Sequence, residues 1–155
     1  MKRRPRGASS MRRRSWLSSK TTWAEYPYWP EVQRFMEGIL RLKPVLVVLF
    51  GSVARGDFTQ ESDADVLVIF ERPVDWATVY AYSQGMVQPL VKTVDEVLAQ
   101  IRQGEPFFIE VVEEGKVLYE ADRMHERLLA EAARAKRRWG VVRTADGWEW
   151  GKPSR

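Results

Sequence analysis

Two carboxylates one residue apart, Asp63 and Asp65, follow a Gly51-Ser52 pair after a gap of ten residues in VLVVLFGSVARGDFTQESDADVLVIF, residues 45–70. On a strand, residues i and i+2 point to one face, so both acids would look into the same space. Two carboxylates held side by side repel each other unless a cation lies between them. Oxygen donors at this spacing suit Mg²⁺ or Mn²⁺, ions that also hold substrate phosphates. Gly51 lets a ligand approach the backbone without meeting a Cβ, and the Ser52 hydroxyl can hydrogen-bond a phosphate oxygen. A short helix over 52–56 would add an N-terminus that favours an anion, and Arg55 a planar fork suited to phosphate. The chemistry open to such a set is to hold a phosphate ester against a divalent cation. The competing reading is a turn capped by Ser62-Asp63 with Asp65 merely solvated. The strand-ending Gly-Ser pair upstream weighs against it.

The elements that must position these groups follow from periodicity. Val32, Phe35, Met36, Ile39 and Leu40 recur at helical spacing after Trp29-Pro30, and the helix should stop near Lys43-Pro44. Val45–Phe50 and Val66–Phe70 are continuous apolar runs, the mark of strands buried on both faces. Residues 74–85 are expected to form a helix ending near Gly85. MVQPLVK (86–92) reads as a third strand, placed at an edge or broken by Pro89. Thr93-Val94-Asp95-Glu96 is a capping box opening a helix that Gly104 closes. A helix over Pro106–Glu114, a strand over 116–120 and a charged helix over 121–138 follow. A hairpin is expected around Asp146-Gly147. The fold class is α/β (α+β): a small mixed sheet flanked by helices. The expected organisation is a basic, disordered tail over 1–22, a core domain over 23–120, and a C-terminal helix with a hairpin over 121–155.

Bulk composition bounds the rest. The chain has 155 residues, of which 45% are hydrophobic and 30% charged, enough for one packed core. No apolar run is long enough to span a bilayer, and the basic N-terminus lacks the apolar stretch of a secretory leader. The chain has no cysteine, which excludes thiolate metal sites and catalytic thiols and points to a cytoplasmic protein. Asparagine is absent too, and with the high charge content this points to a thermophile. The net charge of +4 is an uneven average: residues 1–22 hold eight Lys/Arg and no acid, leaving 17 basic against 21 acidic side chains elsewhere. A basic arm of this kind can hold nucleic acid. A solvated tail explains the same charges.

The stretch GSVARGDFTQESDADVLVIF resembles the signature of the DNA polymerase β-like nucleotidyltransferase superfamily. Its GSVARGD…SDADVLV form is similar to the minimal nucleotidyltransferases, small proteins commonly paired with a helical HEPN-domain partner as toxin–antitoxin systems. The resemblance covers residues 45–70 closely and extends loosely to Tyr119. It implies that Gly51 and Ser52 grip the triphosphate of ATP or another NTP, with Arg55 near the phosphates. It further implies that Asp63 and Asp65 bind Mg²⁺ or Mn²⁺. The implied activity is transfer of AMP, or another nucleoside monophosphate, to a hydroxyl, on the HEPN-type toxin in the first instance.

One departure qualifies the activity. Full catalysts of the superfamily carry a third carboxylate on a later strand, and MVQPLVK holds no acid; Gln88 or Pro89 stands where it would be. Asp95 and Glu96 belong to the capping turn, and Glu110 reads as a surface charge. The alternative to turnover is therefore a catalytically weak or inactive antitoxin-like subunit that neutralises its partner by contact. Elsewhere, the lone His125 is expected at the surface, since one histidine builds neither a zinc site nor a triad. Ser52 is no hydrolase nucleophile, lacking the G-x-S-x-G elbow. The Arg134, Lys136, Arg137, Arg138 cluster suits a helix C-terminus, or contact with nucleic acid or an acidic partner. Trp139, Trp148 and Trp150 could cover the core or form a partner surface.

Overall fold

The computed structural model describes residues 25–151. Helix α1 (Trp29–Ile39) runs into a 3-10 turn (Leu40–Leu42) that ends at Lys43 in a left-handed conformation. Then follow β1 (Leu46–Phe50), α2 (Gly51–Arg55), β2 (Ala64–Phe70), α3 (Trp76–Tyr80), β3 (Val87–Thr93), α4 (Val94–Arg102), α5 (Pro106–Glu114), β4 (Lys116–Glu120), α6 (Met124–Trp139), β5 (Val141–Thr144) and β6 (Gly147–Trp150). Strands β1–β4 form one sheet in the order β3-β2-β1-β4, while β5 and β6 pair as a separate hairpin. β1 runs antiparallel to both β2 and β4, and β3 parallel to β2, so the sheet is small and mixed, the fold class expected.

Two cores sandwich the sheet. Val47, Leu49, Val66 and Val68 pack with Val32, Phe35 and Ile39 of α1 and with Val53 of α2. Their strand neighbours Leu46, Val48, Leu67 and Ile69 turn the other way, onto Val97 and Ile101 of α4, Ile109 and Val112 of α5 and Leu128 of α6. Alternation within a strand that is apolar throughout is what burial on both faces requires. Truncating Leu67, which is fully buried, to alanine should cost roughly 2–5 kcal/mol.

The capping box is made as expected: Glu96 N–H donates to Thr93 Oγ1 (3.1 Å), and Thr93 N–H donates to Glu96 Oε1 (2.9 Å). β3 is an edge strand, where Pro89 is tolerated because no second ladder needs its missing N–H. The Pro89 carbonyl is taken by the Trp76 indole N–H at 2.9 Å.

Three local expectations shift. The helix foreseen over 74–85 is the five-residue α3: after Ala81 the chain passes into turns in which Tyr82 N–H donates to the Val79 carbonyl and Ser83 N–H to the Tyr80 carbonyl, and Gln84 and Gly85 then adopt positive φ (55° and 92°) on the way to β3. The hairpin pairs Thr144 with Gly147, so Ala145-Asp146 make the turn and Gly147 opens β6. His125 does not sit free at the surface: its Nε2 lies 2.8 Å from the Val112 carbonyl, joining α6 to α5. The tail over 1–22 lies outside the described residues.

Candidate functional site

The site gathers at one end of the sheet, where β1 stops and β2 starts. Antiparallel register sets Phe50 opposite Asp65, so the residue after Phe50, Gly51, enters the site beside that carboxylate. Gly51 has φ +81°, and a Cβ built on it would lie 2.6 Å from Asp65 Oδ2. The backbone and the acid are in such close approach that only glycine fits. Helix α2 begins there without a side-chain cap, and among the described residues the Ser52 hydroxyl has no hydrogen bond. The carbonyl of Ser52 accepts from Gly56 N–H (2.9 Å) and Asp57 N–H (3.1 Å), which closes the helix on Gly56 at φ 87°. Arg55 is exposed; its Nε donates to Asp57 Oδ2 at 3.3 Å, and its two Nη groups have no partner among the described residues.

The loop over 56–63 supports itself without the acids. Thr59 N–H donates to Ser62 Oγ (2.9 Å), Glu61 N–H to Thr59 Oγ1 (3.2 Å) and Ser62 N–H to the Thr59 carbonyl (3.2 Å). The turn reading of Ser62 thus holds, but Asp63 is not needed for it. Asp63 sits one residue before β2 and Asp65 within it. Asp63 is exposed and Asp65 half-buried, and neither carboxylate has a hydrogen bond or ion pair among the described residues. Burial, then the neighbouring Asp63, pushes the Asp65 carboxyl above its ordinary value, with Arg55 opposing. A half-buried acid kept beside a second acid is costly unless something positive joins them.

The parallel register of β2 and β3 settles what stands beside Asp65: its partner residue is Gln88, the position at which the third carboxylate was sought, and Val66 faces Pro89. No group of three or more Asp, Glu or His side chains that could hold a metal occurs among the described residues. The donor set nevertheless fits a Mg²⁺-type ion, which is commonly held by one or two carboxylates with water and substrate phosphates completing the shell.

Sequence reasoning missed Tyr26. It is 2% exposed, its ring packs edge-on to Phe58 at 5.4 Å, and its hydroxyl donates to the Ser62 carbonyl, next to Asp63. Burial first, then Asp63, Tyr28, Glu31 and Asp65, push its pKa up to about 12. No spacing rule marks it; the only signal is an unusual run of aromatics, Tyr26, Tyr28 and Trp29, ahead of α1. Glu110 was misjudged as a surface charge: its Oε1 accepts from Trp148 Nε1 at 2.8 Å. The Arg134 and Lys136 charges are engaged by Glu131 and Glu113 at 2.8 and 3.0 Å. Trp139 and Trp148 pack against the second core, and Trp150 is half-exposed.

The family described as polymerase beta, nucleotidyltransferase matches residues 38–124, which holds every group of the site except Tyr26. A protein of Methanocaldococcus jannaschii named a putative protein adenylyltransferase is 36% identical over 77 residues, covering 47% of this chain and 76% of that protein. Among solved structures, a putative nucleotidyltransferase from Sulfolobus solfataricus aligns with a TM-score of 0.47 at 17% identity, over 69% of this chain and 95% of that one. A mutant of the toxin–antitoxin MntA-HpeT aligns with a TM-score of 0.44 at 19% identity, over 68% of this chain and 82% of that one.

Proposed function

The chain belongs to the polymerase β nucleotidyltransferase family, and from that premise we propose that it transfers AMP, or another nucleoside monophosphate, from an NTP to a hydroxyl on a protein partner. The observation that carries the reading is the pairing of two partnerless carboxylates, Asp63 and Asp65, with the Gly51 backbone that abuts one of them. Asp63 and Asp65 would hold a divalent cation, Mg²⁺ or Mn²⁺. When bound, that ion supplies charge neutralisation for the triphosphate and polarises the attacked phosphorus. The backbone at Gly51, the Ser52 hydroxyl and the Nη groups of Arg55 bind and orient the phosphate oxygens. The hydroxyl oxygen forms a bond to the α-phosphorus as the bond to pyrophosphate breaks, and the hydroxyl proton is released to solvent. Tyr26, by holding the Ser62 carbonyl, fixes the approach of Asp63. The name of the Methanocaldococcus relative supports AMP and a protein acceptor. A HEPN-type toxin as that acceptor is supported by the likeness of GSVARGD…SDADVLV to minimal nucleotidyltransferases.

A second reading is favoured by Gln88. Beside Asp65 the residue is an amide and not an acid, which removes the nearest candidate for activating the acceptor hydroxyl. In that reading the chain binds nucleotide and neutralises its partner by contact alone, as an antitoxin-like subunit. Incubation with labelled ATP, Mg²⁺ and the product of the neighbouring gene separates the two. Label on the partner that is lost in Asp63→Ala supports transfer. A stable complex that carries no label and is indifferent to Asp63→Ala supports the contact reading.

A further inference from the structure

A cavity of about 240 Å³ opens directly from the Gly51 and Arg55 side of the site. Its other walls come from the end of β1 and from α5: Phe50, Phe107, Glu110 and Glu114. Phe50 and Phe107 meet edge to face, with centroids 5.5 Å apart at 85°, and Phe107 is 40% exposed, a large apolar ring turned outward. The two acids are held in place from outside by the C-terminal hairpin. Trp148 Nε1 donates to Glu110 Oε1 at 2.8 Å, and Arg143 Nε donates to Glu114 Oε2 at 3.2 Å. The Arg143 guanidinium also lies 5.3 Å from the centre of the Trp148 ring, so the two latches brace each other. Glu110 Oε2 and Glu114 Oε1 are left without a partner among the described residues.

Size and chemistry select the occupant. The volume is below the roughly 300–1,000 Å³ of a pocket for a drug-sized ligand, so it suits a single ring system. Phosphates are excluded by the two carboxylates and directed to the Arg55 side, while aromatic walls favour a flat base. Carboxylate oxygens are acceptors only, so they reward a base edge that carries N–H₂ and penalise one that presents a carbonyl oxygen there. We infer that this cavity is a nucleobase pocket selecting bases with an exocyclic amino group, its acceptors oriented by a hairpin that lies beyond the family-matched residues 38–124. The inference rests on the nucleotide-binding reading above and adds which end of the nucleotide the α5 wall reads. Trp148 and Arg143 are positioning residues: they touch the acids and not the base.

The test is a calorimetric titration of the full chain, with Mg²⁺, against ATP, ITP, CTP, UTP and inorganic tripolyphosphate. ATP is expected to bind about tenfold or more tightly than ITP, and CTP likewise against UTP, the worth of one hydrogen bond to a charged acceptor. Glu110→Gln or Glu114→Gln should collapse those ratios toward one, since an amide can also donate to a carbonyl. Trp148→Phe should narrow them by less while leaving tripolyphosphate binding unchanged, a readout that loss of packing alone would not give. Phe107→Ala should weaken all four nucleotides alike and spare tripolyphosphate. Nucleotides that bind no better than tripolyphosphate, or ratios untouched by both glutamine variants, overturn the pocket and leave the proposed function standing. Failure of nucleotides and tripolyphosphate alike overturns both.

Discussion

Acids are treated in opposite ways at two places in this molecule. On α6, Glu131 takes Arg102 Nε at 3.3 Å and Arg134 Nη2 at 2.8 Å, and hydrogen bonds from Arg102, then Arg134, hold its carboxyl below the usual value. At the mouth of β2, Asp65 is half-buried beside Asp63 with no partner among the described residues, and its carboxyl is pushed up. Fold stability alone would not arrange the second pair so, because like charges in a half-buried site oppose folding. On the proposed reading, the contrast separates charge that serves the scaffold from charge kept in reserve for a ligand.

The largest test of that contrast is removal of the reserved acids. Asp63→Ala and Asp65→Ala should each lower transfer about a thousandfold, the scale of losing several kcal/mol of stabilisation at a metal-assisted centre. Glu131→Ala, measured in the same labelling assay, should leave the rate within about twofold. Next in size is Gly51→Ala, which meets both the positive φ and the Asp65 oxygen 2.6 Å away. Nucleotide affinity in a titration should fall about a hundredfold, while far-UV circular dichroism keeps its native shape.

A gain of function sharpens the comparison from the other side. Gln88→Asp adds a third acid in register with Asp65 and should raise label transfer about tenfold or more if turnover is limited at this point. An unchanged rate would place the limit elsewhere.

The smallest effects are in stability against pH, and they have opposite signs. Asp65, raised in the fold, contributes stability below its ordinary value of 3.8 and loses it as pH rises through the folded value. Glu131, lowered in the fold, contributes above its ordinary value of 4.5 and loses it as pH falls through the folded value. In metal-free buffer at pH 7, Asp65→Asn should therefore raise Tm over the parent, and the gap should close toward pH 3. Glu131→Gln should lower Tm slightly at pH 7, again with convergence in acid. Excess Mg²⁺ should stabilise the parent and not Asp65→Asn. Differential scanning fluorimetry across pH 3 to 8 reads all three.

Much of the scaffold was legible because its signals are local. The apolar runs of β1 and β2, the Thr93-Glu96 box and the stops at Gly104 and Gly115 need only neighbours in sequence, and each appears within a residue or two of its expected place. The grouping of the candidate site was legible for the same reason: Gly51, Ser52, Arg55, Asp63 and Asp65 lie within one hairpin-like turn of chain, and β1–β2 pairing necessarily joins its ends. What escaped depends on contacts distant in sequence. Tyr26 reaches Ser62 from 36 residues away, and Trp148 reaches Glu110 from 38. Neither periodicity nor residue type can announce such a pairing, and Glu110 was accordingly taken for a solvated charge. The five-residue α3 was overestimated because nothing in the residues after Tyr80 announces the tight turns at Tyr82 and Ser83 that end it well before Gly85.

Pro89 and Trp76 carry a consequence of a different kind. A free sheet edge is a template on which a second chain can add a strand and begin a fibre. Along β3 that template is interrupted at its middle: Pro89 has no N–H to offer, and the carbonyl it would present is occupied by the Trp76 indole at 2.9 Å. Strand addition along this edge is opposed by the protein's own side chain, on the same strand that carries Gln88 to the candidate site.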